Sequence, residues 1–274
     1  MSNVLVVGGK GYVGRHLKKK FPNFIYCGRS EFDLTSKQEI IDYLKEVQID
    51  TCIILSASIG YDQGINFYDE PFQTNLLGLN NLLSVLSKCT KIIYFSSMTV
   101  YDPNNVSPVN EEAKLKALHS YALSKIYAEQ LIKYYSFKSL IIRIPGIYGG
   151  DRKAGLIYNS IQKMRDNIDV DINTDNLGYW ETMHVDDMVE CLSELFGKYE
   201  FKSEADILNI SYGEEVDLIA TLKFIKEKLG SDSLLKVSRK YTKLYLSNKK
   251  LKNYNVNIKN SYYKRLDSYI EESL

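Results

Sequence analysis

Val4-Leu5-Val6-Val7-Gly8-Gly9-Lys10-Gly11-Tyr12-Val13-Gly14 stands almost at the start of the chain, and its reading decides the fold. The apolar run Val4–Val7 predicts a strand buried on both faces, and Arg15–Phe21 has a helical pattern. The glycines between them fit G-x-G-x-x-G through Gly9, Gly11 and Gly14. They fit G-x-x-G-x-x-G equally well through Gly8, Gly11 and Gly14. In either frame glycine admits positive φ and lets backbone approach a pyrophosphate, and the helix N-terminus offers that anion unpaired N–H groups. The stretch therefore assigns Gly8, Lys10, Gly11, Tyr12, Val13 and Gly14 to a dinucleotide site.

Outward from this turn the chain alternates. Strands are predicted at 24–27, 52–55, 92–95 and 140–144, with helices at 37–47, 72–88 and 121–135 between them. Short apolar runs separated by helices imply a parallel sheet covered on both sides, and right-handed crossovers make it doubly wound. After Gly149 the rhythm breaks. A helix at 157–167, an extended run at 168–172, a helix at 185–197 capped by Asp186 or Asp187, a strand at 208–210 and a helix at 218–230 follow. The basic, tyrosine-rich tail from Lys236 holds a last helix. The fold class is α/β: a Rossmann-type doubly wound parallel sheet with a smaller C-terminal substrate-binding domain. The expected division is 1–148 plus about 181–212 for the nucleotide-binding domain, and about 149–180 plus 213–274 for the other.

Composition excludes several classes. The chain has 274 residues, with 35 Lys+Arg against 34 Asp+Glu, so its charge balance speaks against a nucleic-acid partner. No apolar run approaches the ~20 residues needed to cross a bilayer. The first residues lack the basic region of a signal peptide, and a cytoplasmic protein is expected. Cys27, Cys52, Cys89 and Cys191 have no C-x-x-C spacing and no nearby histidine, so neither a disulfide framework nor a metal site is expected, only buried reduced thiols.

A nicotinamide site that takes NAD usually places an acid ~20 residues past the glycines, at the end of the second strand, to hold the ribose 2′-OH. Here that strand runs into Gly28-Arg29, with no carboxylate at the turn. Arg29, helped by Lys10, suits a 2′-phosphate, which favours NADPH with NAD as the alternative. Asp33 reads as an adenine contact or as the cap of the next helix, and Leu34 follows it.

Tyr121 and Lys125 lie four apart on one face of a predicted helix. An ammonium beside a phenol lowers the phenol pKa and makes it a proton donor and acceptor near neutral pH. Phe95-Ser96-Ser97-Met98-Thr99 places hydroxyls at the carboxyl end of a central strand, where doubly wound sheets bind ligands. Ser97 there would hold a substrate oxygen for Tyr121. Among the three histidines, His119 stands two residues before Tyr121.

Taken in order, the glycine turn, Phe95-Ser96-Ser97, Tyr121 with Lys125, Arg143-Ile-Pro-Gly-Ile-Tyr148-Gly149, Trp180-Glu-Thr-Met-His184-Val-Asp186-Asp187 and Asn209-Ile-Ser-Tyr-Gly213 resemble the extended short-chain dehydrogenase/reductases. These are the sugar-nucleotide epimerases, dehydratases and reductases. The resemblance implies a Ser97–Tyr121–Lys125 triad, with Lys125 holding the nicotinamide ribose. It implies that Ser56, Ala57, Ser58, Asn75 and Ile144 lie beside the cofactor, and that the chain forms a homodimer through helices 72–88 and 121–135. Gly28-Arg29-Ser30-Glu31-Phe32-Asp33-Leu34 is most similar to GDP-fucose synthases, which use NADPH.

The chain also departs from the family. Dehydratases carry Asp-Glu after the strand-end serine or threonine, where this chain has Met98 and Thr99, so dehydration is not expected. Thr99 also stands where GDP-fucose synthases carry the cysteine used in epimerisation. Gly146 replaces a family asparagine and Trp180 a diphosphate-binding arginine, a charge that Arg152 or Lys153 would have to supply. Ser97, Met98, Tyr121, Gly146, Arg152 and Trp180 are the expected substrate contacts. The reaction expected is NADPH-dependent reduction of a keto group on a nucleotide-activated sugar, serving polysaccharide precursor synthesis. The rivals are an NAD-dependent 4-epimerase that recycles its cofactor, and a non-catalytic NAD(P)-sensing protein.

Overall fold

The computed structural model describes residues 3–45, 47–59, 69–172, 181–237 and 244–274. The chain divides into two compact units. The first comprises residues up to Asp102, Lys114–Ile144 and Lys198–Leu208; the second comprises Pro103–Ala113, Pro145–Gly197 and Asn209–Leu274. The expected division placed 181–212 with the nucleotide-binding half. The structure groups Pro145–Gly197 and Asn209–Leu274 in the second unit, so the paired strands Gly146–Tyr148 and Thr182–His184, together with 209–212, lie there rather than with the nucleotide-binding half.

The first unit begins with β1 (Val4–Val7), α1 (Tyr12–Lys20), β2 (Ile25–Cys27), α2 (Lys37–Leu44) and β3 (Thr51–Ile54). Next come α3 (Glu70–Phe72), a wide π turn (Gln73–Gly78) and α4 (Leu79–Val85). It continues with β4 (Lys91–Ser97), a 3-10 turn (Met98–Val100), α5 (Ser120–Tyr135) and β5 (Ser139–Ile144). The sheet order is β2-β1-β3-β4-β5, with a later strand, Asp206–Asn209, beside β5. The pairings β1–β2, β1–β3, β3–β4 and β4–β5 are parallel. The chain leaves β1 for one side of the sheet and then returns to its other side at β3. The reversal point therefore lies between the carboxyl ends of β1 and β3, where Val7 is paired with Ile54.

The sequence accounts for these elements. β1 is buried at all four residues, and its side chains join those of β3, β4, α4 and α5 in one core around Leu5, Val7, Ile54, Leu82, Tyr94 and Ile132. Lys18, Lys19 and Lys20 close α1 at its negative end. Ser36 caps α2 by accepting a hydrogen bond from the Glu39 amide, so Asp33 is not the cap. Its carboxylate instead accepts from the amide and hydroxyl of Thr35, each at 2.8 Å. The helix predicted over 72–88 runs over 70–85, with right-handed helical backbone at each junction and a wider π turn at Gln73–Gly78 within it. Gly78 lies so close to Leu34 that a Cβ would come within 2.8 Å of the leucine Cβ, and the wide turn before it carries the buried Asn75.

The second unit holds β6 (Gly146–Tyr148), α6 (Leu156–Arg165), β7 (Val170–Ile172), β8 (Thr182–His184) and α7 (Val185–Lys198). After β9 (Asp206–Asn209) come α8 (Leu218–Leu229), β10 (Leu235–Val237), α9 (Lys249–Lys252) and α10 (Tyr262–Glu272), the last helix expected in the tail. Two small parallel pairings, β6–β8 and β7–β10, serve this unit. Asp186 and Asp187 sit inside the first turn of α7 rather than at its cap. The Asp186 amide donates to His184 Nδ1 at 3.2 Å, so the histidine ring does the capping. Cys27, Cys52 and Cys191 are buried as expected, but Cys89 is exposed.

Candidate active site

The glycine turn is shaped by close approach. Gly8 has φ +81°, and a Cβ there would meet the Ser56 amide nitrogen at 2.5 Å. A Cβ on Gly14 would meet the Gly9 carbonyl oxygen at 2.4 Å, and one on Gly9 the Tyr26 ring at 2.8 Å. Both glycine frames are therefore in use: Gly8 presses β1 against the end of β3, and Gly14 presses α1 onto the turn. Gly11 heads α1 with no side-chain cap, so the positive end of the helix dipole faces the turn. This cradle fits a dinucleotide pyrophosphate. Val13 and Tyr12 open the helix, half-buried, and Tyr12 packs edge-on against His16.

At the end of β2 the structure corrects one expectation. A carboxylate does stand there. Glu31 turns back so that its Oε2 accepts from the Gly28 amide at 2.7 Å, and its other oxygen pairs with Lys10. Lys10 Nζ also donates to Ser30 Oγ at 2.7 Å. The lysine and two backbone and side-chain donors hold the Glu31 pKa below the ordinary value. The acid escaped sequence reasoning because it lies four residues past the strand, beyond the turn that brings it back. Arg29 is exposed and stands 3.6 Å from Asp33 and 3.7 Å from Glu70. Leu34 is buried in the core against Gly78.

Ser97 ends β4, and α5 carries Tyr121 and Lys125; all three are buried. His119 caps α5 by accepting from the Ala122 amide at 3.1 Å, and its ring stacks beside that of Tyr121. Ser97 Oγ accepts from the Thr99 hydroxyl at 3.0 Å and from the Thr99 amide at 3.2 Å. A hydroxyl has two acceptor positions and one proton. With both positions filled, Ser97 is left as a donor, which suits holding a carbonyl oxygen. The sequence marks Thr99 as one of the strand-end hydroxyls and as a departure from the dehydratase acid and the synthase cysteine; its tie to Ser97 comes from the 3-10 turn, which no sequence pattern signals.

Lys125 Nζ donates to the Phe95 carbonyl at 2.7 Å and lies 5.9 Å from the centre of the Tyr121 ring. Burial pushes its pKa down to about 7, while the Glu129 charge opposes that shift. Asn75 pins the neighbourhood. Its Oδ1 accepts from the Ser58 amide at 2.8 Å, and its Nδ2 donates to the Ser58 carbonyl and, at 3.0 Å, to Ser124 Oγ. The loop after β3, Ser56-Ala57-Ser58, is thereby joined to the residue preceding Lys125. Ile144, half-buried, ends β5 opposite Ser97 in register.

The remaining expected contacts are placed less closely. Met98 is buried in the 3-10 turn. Gly146 and Arg152 belong to the second unit: Gly146 donates to the Glu181 carbonyl at 3.0 Å, and exposed Arg152 donates to the Ile147 carbonyl at 3.1 Å. Trp180 lies outside the described residues. His184 is fully buried, with Arg265 Nη2 2.9 Å from its Nδ1, in a structural setting among Tyr148 and Tyr269. Among the described residues no group of His, Cys, Asp and Glu has a metal-binding arrangement.

Comparison with known proteins identifies the family and the fold. Residues 4–211 match the model of the NAD dependent epimerase/dehydratase family. The dTDP-4-dehydro-6-deoxyglucose reductase of Escherichia coli is 25% identical over 271 residues, covering 85% of this chain and 84% of that protein. Among solved structures, the Thermus thermophilus UDP-glucose 4-epimerase in complex with NAD superposes with a TM-score of 0.79 at 18% identity, over 99% of both chains. RMD from Pseudomonas aeruginosa, complexed with NADPH, gives 0.81 at 19% identity, again over 99% of both chains. The chain thus belongs to the NAD-dependent epimerase/dehydratase family, and is an NAD(P)-dependent oxidoreductase of the extended short-chain dehydrogenase/reductase kind.

Proposed function

We propose that the protein reduces a keto group on a nucleotide-activated sugar, with NADPH as hydride source. The observation that carries this reading is Ser97, left as a pure donor by Thr99, on the same sheet end as the Tyr121–Lys125 pair. A ketone oxygen only accepts, so Ser97 suits it. Tyr121 gives that oxygen its proton and is reprotonated from solvent, and Lys125 favours the phenolate left behind. The reduced nicotinamide, when bound, supplies the hydride to the carbonyl carbon. Met98 and Thr99 offer no carboxylate for dehydration.

For the cofactor, Lys10 and Arg29 are two cations at the end of β2. Both cations are exposed to solvent, which screens their ion pairs, and a 2′-phosphate competes for them. Glu31 gives the alternative, NAD held through its ribose hydroxyls, a specific footing, and with it a 4-epimerase that recycles its cofactor. A homodimer through α5 and the preceding helices is the proposed assembly, supported by exposed Leu77, Tyr127 and Tyr134. Among the described residues no helix is long and apolar enough to cross a membrane, in keeping with a cytoplasmic role in polysaccharide precursor synthesis.

The test is to denature purified protein, identify any dinucleotide released, and titrate the empty protein with NADPH and NADH. A tenfold or greater preference for NADPH that Arg29→Ala abolishes supports the reading; tenfold is about 1.4 kcal/mol. NADPH oxidation with UDP-, dTDP- or GDP-activated 4-keto sugars completes it. Stoichiometric NAD released from the protein would favour the epimerase instead.

A further inference from the structure

Tyr94 lies on β4, one residue before the Phe95 carbonyl that Lys125 holds. Its ring sits in the core with Ala128 and Ile132 of α5. Lys125 Nζ is poised over that ring, 4.5 Å from its centre, closer than to the ring of Tyr121. Both side chains are about 1% exposed, so no solvent screens the contact. The Tyr94 hydroxyl is buried and has no hydrogen-bond partner among the described residues. Whatever the residue does here, it does with its ring.

We propose that the face of Tyr94 is a cation platform that keeps the Lys125 ammonium charged and aimed at the reacting tyrosine. Tyr94 is thus a positioning residue, acting through Lys125. An ammonium buried this deeply has lost its water, and one carbonyl cannot replace it. The electron-rich ring face supplies attraction on a second side, and this attraction is largest when the cation is desolvated. Among the described residues the other ionisable groups around Lys125 are few. Glu129 lies one turn along α5 and is bound to Arg143 of β5, which offsets much of its charge. Tyr121 lies one turn back on α5. Asn75 and Ser124, hydrogen-bonded to each other nearby, carry no charge. Burial lowers the Lys125 pKa to about 7, so the ring acts where a modest change alters the charge state at neutral pH.

This inference rests on the assignment of Lys125 and Tyr121 to the reacting centre, but its test needs neither substrate nor cofactor. The full chain is labelled with [ζ-15N]lysine, and the Lys125 resonance is identified by its loss in Lys125→Arg. Its protonation midpoint is then followed by pH titration in wild type, Tyr94→Phe, Tyr94→Leu and a protein carrying 3,4,5-trifluorophenylalanine at position 94. The fluorinated ring keeps shape and volume but loses its negative face, so the comparison stands even where Tyr94→Leu fails to fold. The expected result is the same midpoint for wild type and Tyr94→Phe, and a fall of about one pH unit, a tenfold change in the equilibrium, with the fluorinated ring. An unchanged midpoint with the fluorinated ring overturns the proposal. Because the measurement is made on the empty protein, that failure is separate from any failure of the reductase reading.

Discussion

Arg143 and Glu129 face each other in the interior, Nη2 to Oε2 at 2.6 Å, with side chains 2% and 0% exposed. Ser96 Oγ donates to Glu129 Oε1 at 2.6 Å, and the guanidinium stacks over the Tyr101 ring. This one carboxylate ties α5 to β4 and β5 at the level of Lys125 and Ser97. It fixes the distance between the two elements that carry Ser97 and the Tyr121–Lys125 pair, the side chains proposed to react.

Removing half of that pair leaves a buried charge alone. Glu129→Gln should cost about 3–5 kcal/mol of stability, measured by urea denaturation. The double variant Glu129→Leu with Arg143→Met should recover most of the loss, because two apolar side chains carry no desolvation cost. A single-variant loss below ~1 kcal/mol would mean that the pair is not holding the elements together.

Gly149 has φ +92°, and a Cβ there would lie 2.0 Å from His184 Nε2. Gly149→Ala must displace the imidazole or the strand end before it, and should destabilise by at least ~2 kcal/mol in thermal or chemical denaturation. Adding His184→Ala makes room and should return part of the loss, leaving the backbone term. Equal losses with and without His184 would show that the ring contact does not matter.

Glu181 is buried, its Oε2 accepting from the Leu246 amide at 2.8 Å. Burial pushes its pKa up to about 8, against the opposing hydrogen bonds from Leu246 and Ser211. The folded protein therefore holds this proton where the unfolded chain has released it. The stabilising contribution is complete below about 4.5 and is lost as pH rises to about 8. Glu181→Gln should remove this dependence, so that the variant gains on wild type by a few kcal/mol, on the order of the linkage limit, between pH 5 and 8. Parallel stability curves for the two proteins would contradict the buried, protonated carboxyl.

How much of this was legible in the sequence varies with the range of the forces involved. The strands and helices of the first unit follow from local apolar runs, and the glycine turn from its own spacing. Tyr121 and Lys125 were legible because a helix fixes their relation. Glu31 was not, because a turn after β2 brings it back to Gly28, and no periodicity marks that turn. The close approach of Gly78 to Leu34 was not legible for a similar reason, being a contact between segments far apart in the chain. Tyr94 read as one more apolar strand residue, and only the path of the Lys125 side chain gives its ring a second role.

Tyr121 is proposed to hand a proton to a substrate carbonyl. The most direct measurement is NADPH oxidation by wild type and Tyr121→Phe with a 4-keto nucleotide sugar such as dTDP-4-dehydro-6-deoxyglucose, alongside NADPH binding to each. NADPH binding should be unchanged within a few-fold, and turnover lower by ~10²–10⁴-fold, in the variant. Equal turnover in the two proteins would contradict that role.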